Sequence, residues 1–208
     1  MVDAIVVTYR RATAAQLYDG EHWYGVARNI VDAIAAETTI DPTRVACALA
    51  ALSPRNPWAW NVADAFAFAS ATWQGGEMPS ATTYGANRRA AWAALTSDEL
   101  PWASLALKVR AFAGAIMGNE WSVVVDVWAM RVVTNGERSE AKSTGVYRRV
   151  AHAYTEAATV LGVTPCTAQA VTWLVAQSEG LGSTRRNRHD QTCKRGTPAF
   201  VRRLLDVT

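Results

Sequence analysis

One acid stands inside an otherwise apolar run: Asp126 follows Val123, Val124 and Val125 and precedes Val127, Trp128 and Met130. Burying an unpaired carboxylate is costly. Asp126 is therefore either the N-cap of a helix, accepting backbone N–H bonds at the positive end of the dipole, or a carboxylate kept for chemistry. Upstream, Lys108 and Arg110 open an apolar, helix-like run. A second candidate is SPRNPWAWN, residues 53–61, where Pro54 and Pro57 stiffen the backbone. Arg55, Asn56, Trp58, Trp60 and Asn61 there offer a cation, amides and ring faces. Such a stretch is either a helix–helix turn with packed indoles, or an aromatic and amide wall able to hold an extruded base by stacking and edge hydrogen bonds. Asn87, Arg88 and Arg89 lie near the start of a third segment, where the arginines either grip phosphate or form a solvated face.

The elements that must position these residues read as helices. Residues 1–20 suggest a short helix ended by Gly20, and residues 21–38 an amphipathic one with Trp23, Val26, Ala27, Ile30, Ile34 and Ala35 on one stripe. Asp41-Pro42 is a cap followed by proline at the first helical position. It opens RVACALAAL, apolar nearly all round and so expected at the centre, with Ser53-Pro54 ending it. Further helices are expected over 61–73, 84–95, 147–162 and 165–177, with a loop at 74–82 and a polar surface loop after Thr134. His152 reads as a surface or cap histidine. From Gly180 the chain turns polar and basic.

Length and composition bound the rest. At 208 residues the chain suits one sizeable domain, and with 50% apolar and 19% charged residues a packed core is expected rather than disorder. A formal charge of +3 permits a nucleic-acid partner without requiring one. Cys47, Cys166 and Cys193 are far apart and lack zinc spacing, which favours a reducing cytoplasm over a disulfide framework. No apolar run approaches a membrane span, and the N-terminus does not read as a signal peptide. No cofactor or metal is expected; Walker, dinucleotide and HExxH patterns are missing.

Lys108 and Asp126 stand eighteen residues apart, and VDVWAMRV (125–132) follows the acid with an Arg-Val pair. This resembles the helix-hairpin-helix DNA glycosylases of the endonuclease III and adenine glycosylase kind. In those enzymes a hairpin runs into a Lys-bearing helix, and a Val-Asp-Thr-His-like segment supplies the catalytic Asp; Trp128 stands where the His would be. The likeness covers roughly residues 45–135. The hairpin glycines, which let backbone N–H groups approach phosphate, fall on Ser104 and Ala106, so the hairpin is degenerate. The four cysteines of an iron–sulfur site are missing.

A closer resemblance is to a phage and actinobacterial branch of that superfamily, which includes amino acid:DNA transferases and glutamyl-putrescinyl-thymine pyrophosphorylases. ALSPRNPWAWN (51–61), TYGANRRA (83–90), YRRVAHAYTEAA (147–158) and QAVTW (169–173) carry it, over most of residues 20–178. The architecture expected is all-α: a single two-lobed helical domain over 1–179, of nine or ten helices with a cleft, and a basic tail over 180–208. The resemblance implies DNA bearing a modified base as partner and a small amino acid or amine as co-substrate. The amine would be joined to an activated 5-hydroxymethyluracil. Asp126 and Lys108 are the implied catalytic pair. Ser53, Arg55, Asn56, Trp58, Asn61, Tyr84, Asn87, Trp128, Arg131 and Gln169 are the implied substrate contacts. Arg88, Arg89, Arg110, Arg185, Arg186, Arg188, Lys194 and Arg195 would hold the DNA backbone. Two other readings stay open: a glycosylase or lyase in which Lys108 attacks the sugar carbon, and a catalytically silent DNA-binding module.

Overall fold

The computed structural model describes residues 1–137, 140–181 and 199–206. Among these the protein is all-α, with α1 (Val2–Arg10), α2 (Ala14–Thr38), α3 (Pro42–Leu52), α4 (Trp58–Trp73) and α5 (Gly85–Thr96). A 3-10 turn (Trp102–Ser104) leads to α6 (Leu107–Ile116), α7 (Val127–Val133), α8 (Thr144–Leu161), α9 (Pro165–Ser178) and α10 (Ala199–Asp206). No strand occurs among the described residues, and none of their helices alone is long and apolar enough to cross a membrane.

The chain divides into two compact units. The first comprises residues 1–25 and 118–188. Its core joins Ile5 and Val6 of α1 with Trp128, Ala129, Met130 and Val132 of α7, and with Val150, Tyr154 and Ala157 of α8. Cα proximity pairs α1 with α7, α8 and α9, and α9 with α7 and α8. The VVV run, residues 123–125, is buried and enters neither helix nor sheet, with the Asp126 N–H donating to the Val124 carbonyl at 3.1 Å. Its backbone groups therefore need other partners. Tyr147 supplies them from α8: its hydroxyl donates to the Val123 carbonyl at 3.1 Å and accepts from the Val125 N–H at 3.3 Å.

Gly20 does not end a helix as the sequence suggested; α2 runs straight through it. A Cβ at this position would lie 2.4 Å from Val171 Cγ2 and 2.8 Å from the Val171 nitrogen, so glycine serves close approach to α9, not termination. Gln16 fastens the same contact, its Nε2 donating to Ser178 Oγ at 2.9 Å.

The second unit comprises residues 26–117 and 189–208. As expected from its all-apolar pattern, α3 is central: Val45 through Leu52 are all buried, and α4, α5 and α6 pack around it. Asp41 caps it, Oδ1 accepting from the Thr43 N–H at 2.9 Å and the Arg44 N–H at 3.2 Å. Arg44 then donates to the carbonyls of Ala94, Ser97 and Asp98, closing the end of α5. Two helices begin three residues earlier than the pattern predicted. α4 starts at Trp58, behind Pro57, and α8 at Thr144, where the Ser143 hydroxyl accepts from the Val146 N–H at 3.2 Å. The tail also contains a helix: α10 lays Phe200 against Phe66 of α4 with ring centroids 5.0 Å apart, and buries Val201.

Candidate functional site

Asp126 is the N-cap of α7. Its backbone is extended (φ −103°, ψ −171°), and Oδ1 accepts from the Trp128 N–H at 3.0 Å and the Ala129 N–H at 2.8 Å. A cap of this kind contributes about 1 kcal/mol, and it fixes the carboxylate on a rigid element. Capping and chemistry are compatible here, because the cap bonds orient the group without consuming its charge.

Around this carboxylate unit 1 assembles three phenols. Tyr24 of α2 donates to Gln169 Oε1 at 2.6 Å, and Tyr154, fully buried, bonds Thr172 Oγ1 at 3.1 Å. Tyr147 bonds the VVV run as described. Burial pushes the Tyr147 phenol up to about 12, with the Asp126 charge adding to the shift. Burial likewise raises Tyr24 and Tyr154, and Asp126 again contributes to both. All three are therefore neutral near pH 7 and act as hydrogen-bond donors and acceptors, not as bases. Cys166 closes the group from the start of α9: its Sγ donates to the Ser122 carbonyl at 2.9 Å, and burial raises the thiol to about 12. Flanking this cluster, Trp23 packs on Trp173 at 4.8 Å, and the Arg131 guanidinium lies 4.6 Å from the Trp128 ring centroid. Arg131 Nε is buried and finds no hydrogen-bond partner among the described residues.

Unit 2 brings together two segments remote in sequence, 53–64 and 82–88. Ser53 Oγ, Asn61 Nδ2 and Asn87 Nδ2 donate to the carbonyls of Ala50, Leu49 and Ala51 at 2.9, 3.1 and 2.9 Å. These are carbonyls of the last turn of α3, where the i→i−4 ladder runs out and of which Ala50 also accepts from the Ser53 N–H, so Ser53, Asn61 and Asn87 spend donors on ending that helix. Asn56 Nδ2 donates to Asp64 Oδ2 at 2.9 Å, and the Thr82 N–H reaches the same oxygen at 3.4 Å. Thr83 Oγ1 donates to the Pro54 carbonyl at 2.9 Å. Arg55 holds a left-handed backbone (φ 57°) and places its guanidinium 5.1 Å from the Tyr84 ring centroid. The amide oxygens of Asn56 and Asn61 and the Arg88 Nε are buried and find no hydrogen-bond partner among the described residues. Trp58 is partly buried at the start of α4.

Lys108 and Arg110 lie in the first turn and a half of α6, partly buried, in unit 2, whereas Asp126 belongs to unit 1. Arg89 is exposed on α5. Arg185, Arg186, Arg188, Lys194 and Arg195 lie outside the described residues. His152 is exposed on α8. No group of three His, Cys, Asp or Glu able to hold a metal ion occurs among the described residues. Sequence reasoning missed Asp64 and Tyr24. Asp64 is buried within the apolar α4, the same signal that singled out Asp126. Tyr24 carried no signal, because its partner Gln169 is 145 residues away.

The model of a family of unknown function, DUF7178, matches residues 1–180, and the chain belongs to that family. No curated protein and no solved structure matches it.

Proposed function

We propose that this member of DUF7178 modifies a thymine-derived base in DNA, joining a small amine or amino acid to the base's exocyclic methylene. The observation that carries this reading is convergence. Two segments through which the chain resembles the phage branch, 147–158 and 169–173, meet the glycosylase-like segment 125–132 in one polar cluster in unit 1. That cluster holds Asp126, Tyr147, Tyr154, Gln169 and Thr172. Buried phenols and an amide supply neutral donors and acceptors suited to a base edge. A carboxylate held by a helix start suits proton transfer.

In this scheme the amine nitrogen attacks the methylene carbon, forming a C–N bond as the C–O bond to the activating phosphate breaks. Asp126 orients the amine and takes its proton. Arg131 neutralises charge on the departing phosphate; the same role for Lys108 and Arg110 rests on the resemblance alone. The glycosidic bond stays intact, so no abasic site forms.

Nucleoside mass spectrometry on DNA from cells with and without the gene tests the reading. A new thymidine derivative, lost in Asp126→Asn, is expected. Abasic sites or strand breaks, with covalent trapping through Lys108 by borohydride, would establish a glycosylase instead. An unchanged profile without breaks would leave a binding module.

A further inference from the structure

Gln169 carries an amide whose donors are unmet in a nearly closed place. It lies on α9, 4% exposed, and its Oε1 accepts from the Tyr24 hydroxyl at 2.6 Å. That spacing suits O–H···O and is short for N–H···O, so the amide oxygen faces the phenol and Nε2 faces away from it. Among the described residues no group accepts from Nε2. A buried donor without an acceptor is costly, and a carbonyl on a ligand would relieve it.

Tyr24 reaches Gln169 along a fixed seam. Gln16, Gly20 and Tyr24 stand four residues apart and share one face of α2. They meet Ser178, Val171 and Gln169 of α9, and Trp23 packs on Trp173 alongside. Burial keeps the Tyr24 phenol protonated, so it donates. Asp126 is near enough for its charge to bear on that phenol, which disfavours a carboxylate or phosphate oxygen at Nε2 and favours a neutral carbonyl. A uracil-type base presents a carbonyl acceptor at C4, where a cytosine-type base presents an amine donor.

We propose that Gln169 Nε2 donates to the C4 carbonyl of an extruded uracil-type base, and that Tyr24 is the positioning residue that sets this preference over cytosine by holding the amide in one orientation. The inference rests on the reading of unit 1 as a base-modifying site and adds how that site tells one pyrimidine from the other. Fluorescence anisotropy compares two single-stranded oligonucleotides that differ only in one central base, 5-hydroxymethyluracil or 5-hydroxymethylcytosine. Backbone contributions cancel in the ratio of the two affinities, and no turnover is needed. The wild type should favour the uracil by about 10–100-fold, since cytosine sets donor against donor. Tyr24→Phe lets the amide turn, and Gln169→Met removes the donor; each should bring the ratio to within about threefold. Gln16→Ala loosens the same seam without touching the amide and should keep the wild-type ratio. Circular dichroism melts confirm folding. Equal affinities in the wild type, a wild-type ratio in Tyr24→Phe or Gln169→Met, or a collapsed ratio in Gln16→Ala would overturn the inference, whatever the nucleoside assay reports. A preference that collapses in Tyr24→Phe, in a protein that makes no modified nucleoside, would sustain it while removing the transfer chemistry.

Discussion

Replacing Gly20 by Ala isolates how α2 is held against α9. In a generic helix interior the substitution stabilises by about 1 kcal/mol, because alanine is the better helix former. At Gly20 the new methyl would meet Val171 Cγ2 at 2.4 Å, its nitrogen at 2.8 Å and its Cα at 2.9 Å. A rotamer change could move Cγ2 but not the backbone atoms, so the helices must separate by roughly 0.6 Å to restore a 3.4 Å contact. Such separation loosens the Gln16–Ser178 bond, and overpacking of this kind costs about 1–3 kcal/mol. The net expectation is destabilisation by up to about 2 kcal/mol. Gly25, on the same helix, provides the control, since a Cβ there meets nothing within 4 Å. Gly25→Ala should stabilise by about 0.5–1 kcal/mol. Urea unfolding of both variants, at unchanged m-value, measures the pair. Equal or greater stability of Gly20→Ala relative to wild type would refute the packing argument.

Tyr147→Phe removes the hydroxyl that serves both Val123 and Val125, leaving buried backbone groups unpaired; a loss of about 1–3 kcal/mol in denaturant unfolding is expected. Stability should fall as the solution turns alkaline. The Cys47 and Cys166 thiols are raised to about 12 and the Tyr147 phenol to about 12. Each folded pKa lies above its unfolded value, so the unfolded chain loses protons first. The stabilising contribution is complete below about pH 9 and is lost as pH rises toward 12; a pH series of thermal melts reads it. Raised and buried thiols also predict slow alkylation: at about pH 8, Cys47 and Cys166 should resist iodoacetamide in the native protein and react on unfolding, as peptide mapping would show.

Local signals in the chain were legible where the physics is local. Asp41-Pro42 announces a helix start because cap and proline act within a few residues, and the cap forms. The apolar circumference of α3 announced its central place. Gly20 misled for the opposite reason: a glycine that ends a helix and one that admits a neighbouring backbone look alike until Val171 is in place. α10 was hidden because FVRRLLD buries a narrow stripe within a basic segment, and its partner Phe66 is distant in sequence. At the candidate site, Asp126 stood out as an acid among valines. The roles of Ser53, Asn61 and Asn87 in ending α3 did not, because carbonyl partners leave no mark on composition.

The most direct test separates capping from chemistry at Asp126. Asparagine caps helices about as well as aspartate, whereas alanine forfeits about 1 kcal/mol. Asp126→Asn should therefore keep wild-type stability while losing the carboxylate, and Asp126→Ala should lose both. Purified protein is incubated with a small amine and with DNA carrying a phosphorylated 5-hydroxymethyluracil, and the nucleosides are then weighed. The account predicts an aminated thymidine from the wild type and none from the equally stable Asp126→Asn. Product formation by Asp126→Asn at the wild-type rate would show that Asp126 is a helix cap and nothing more.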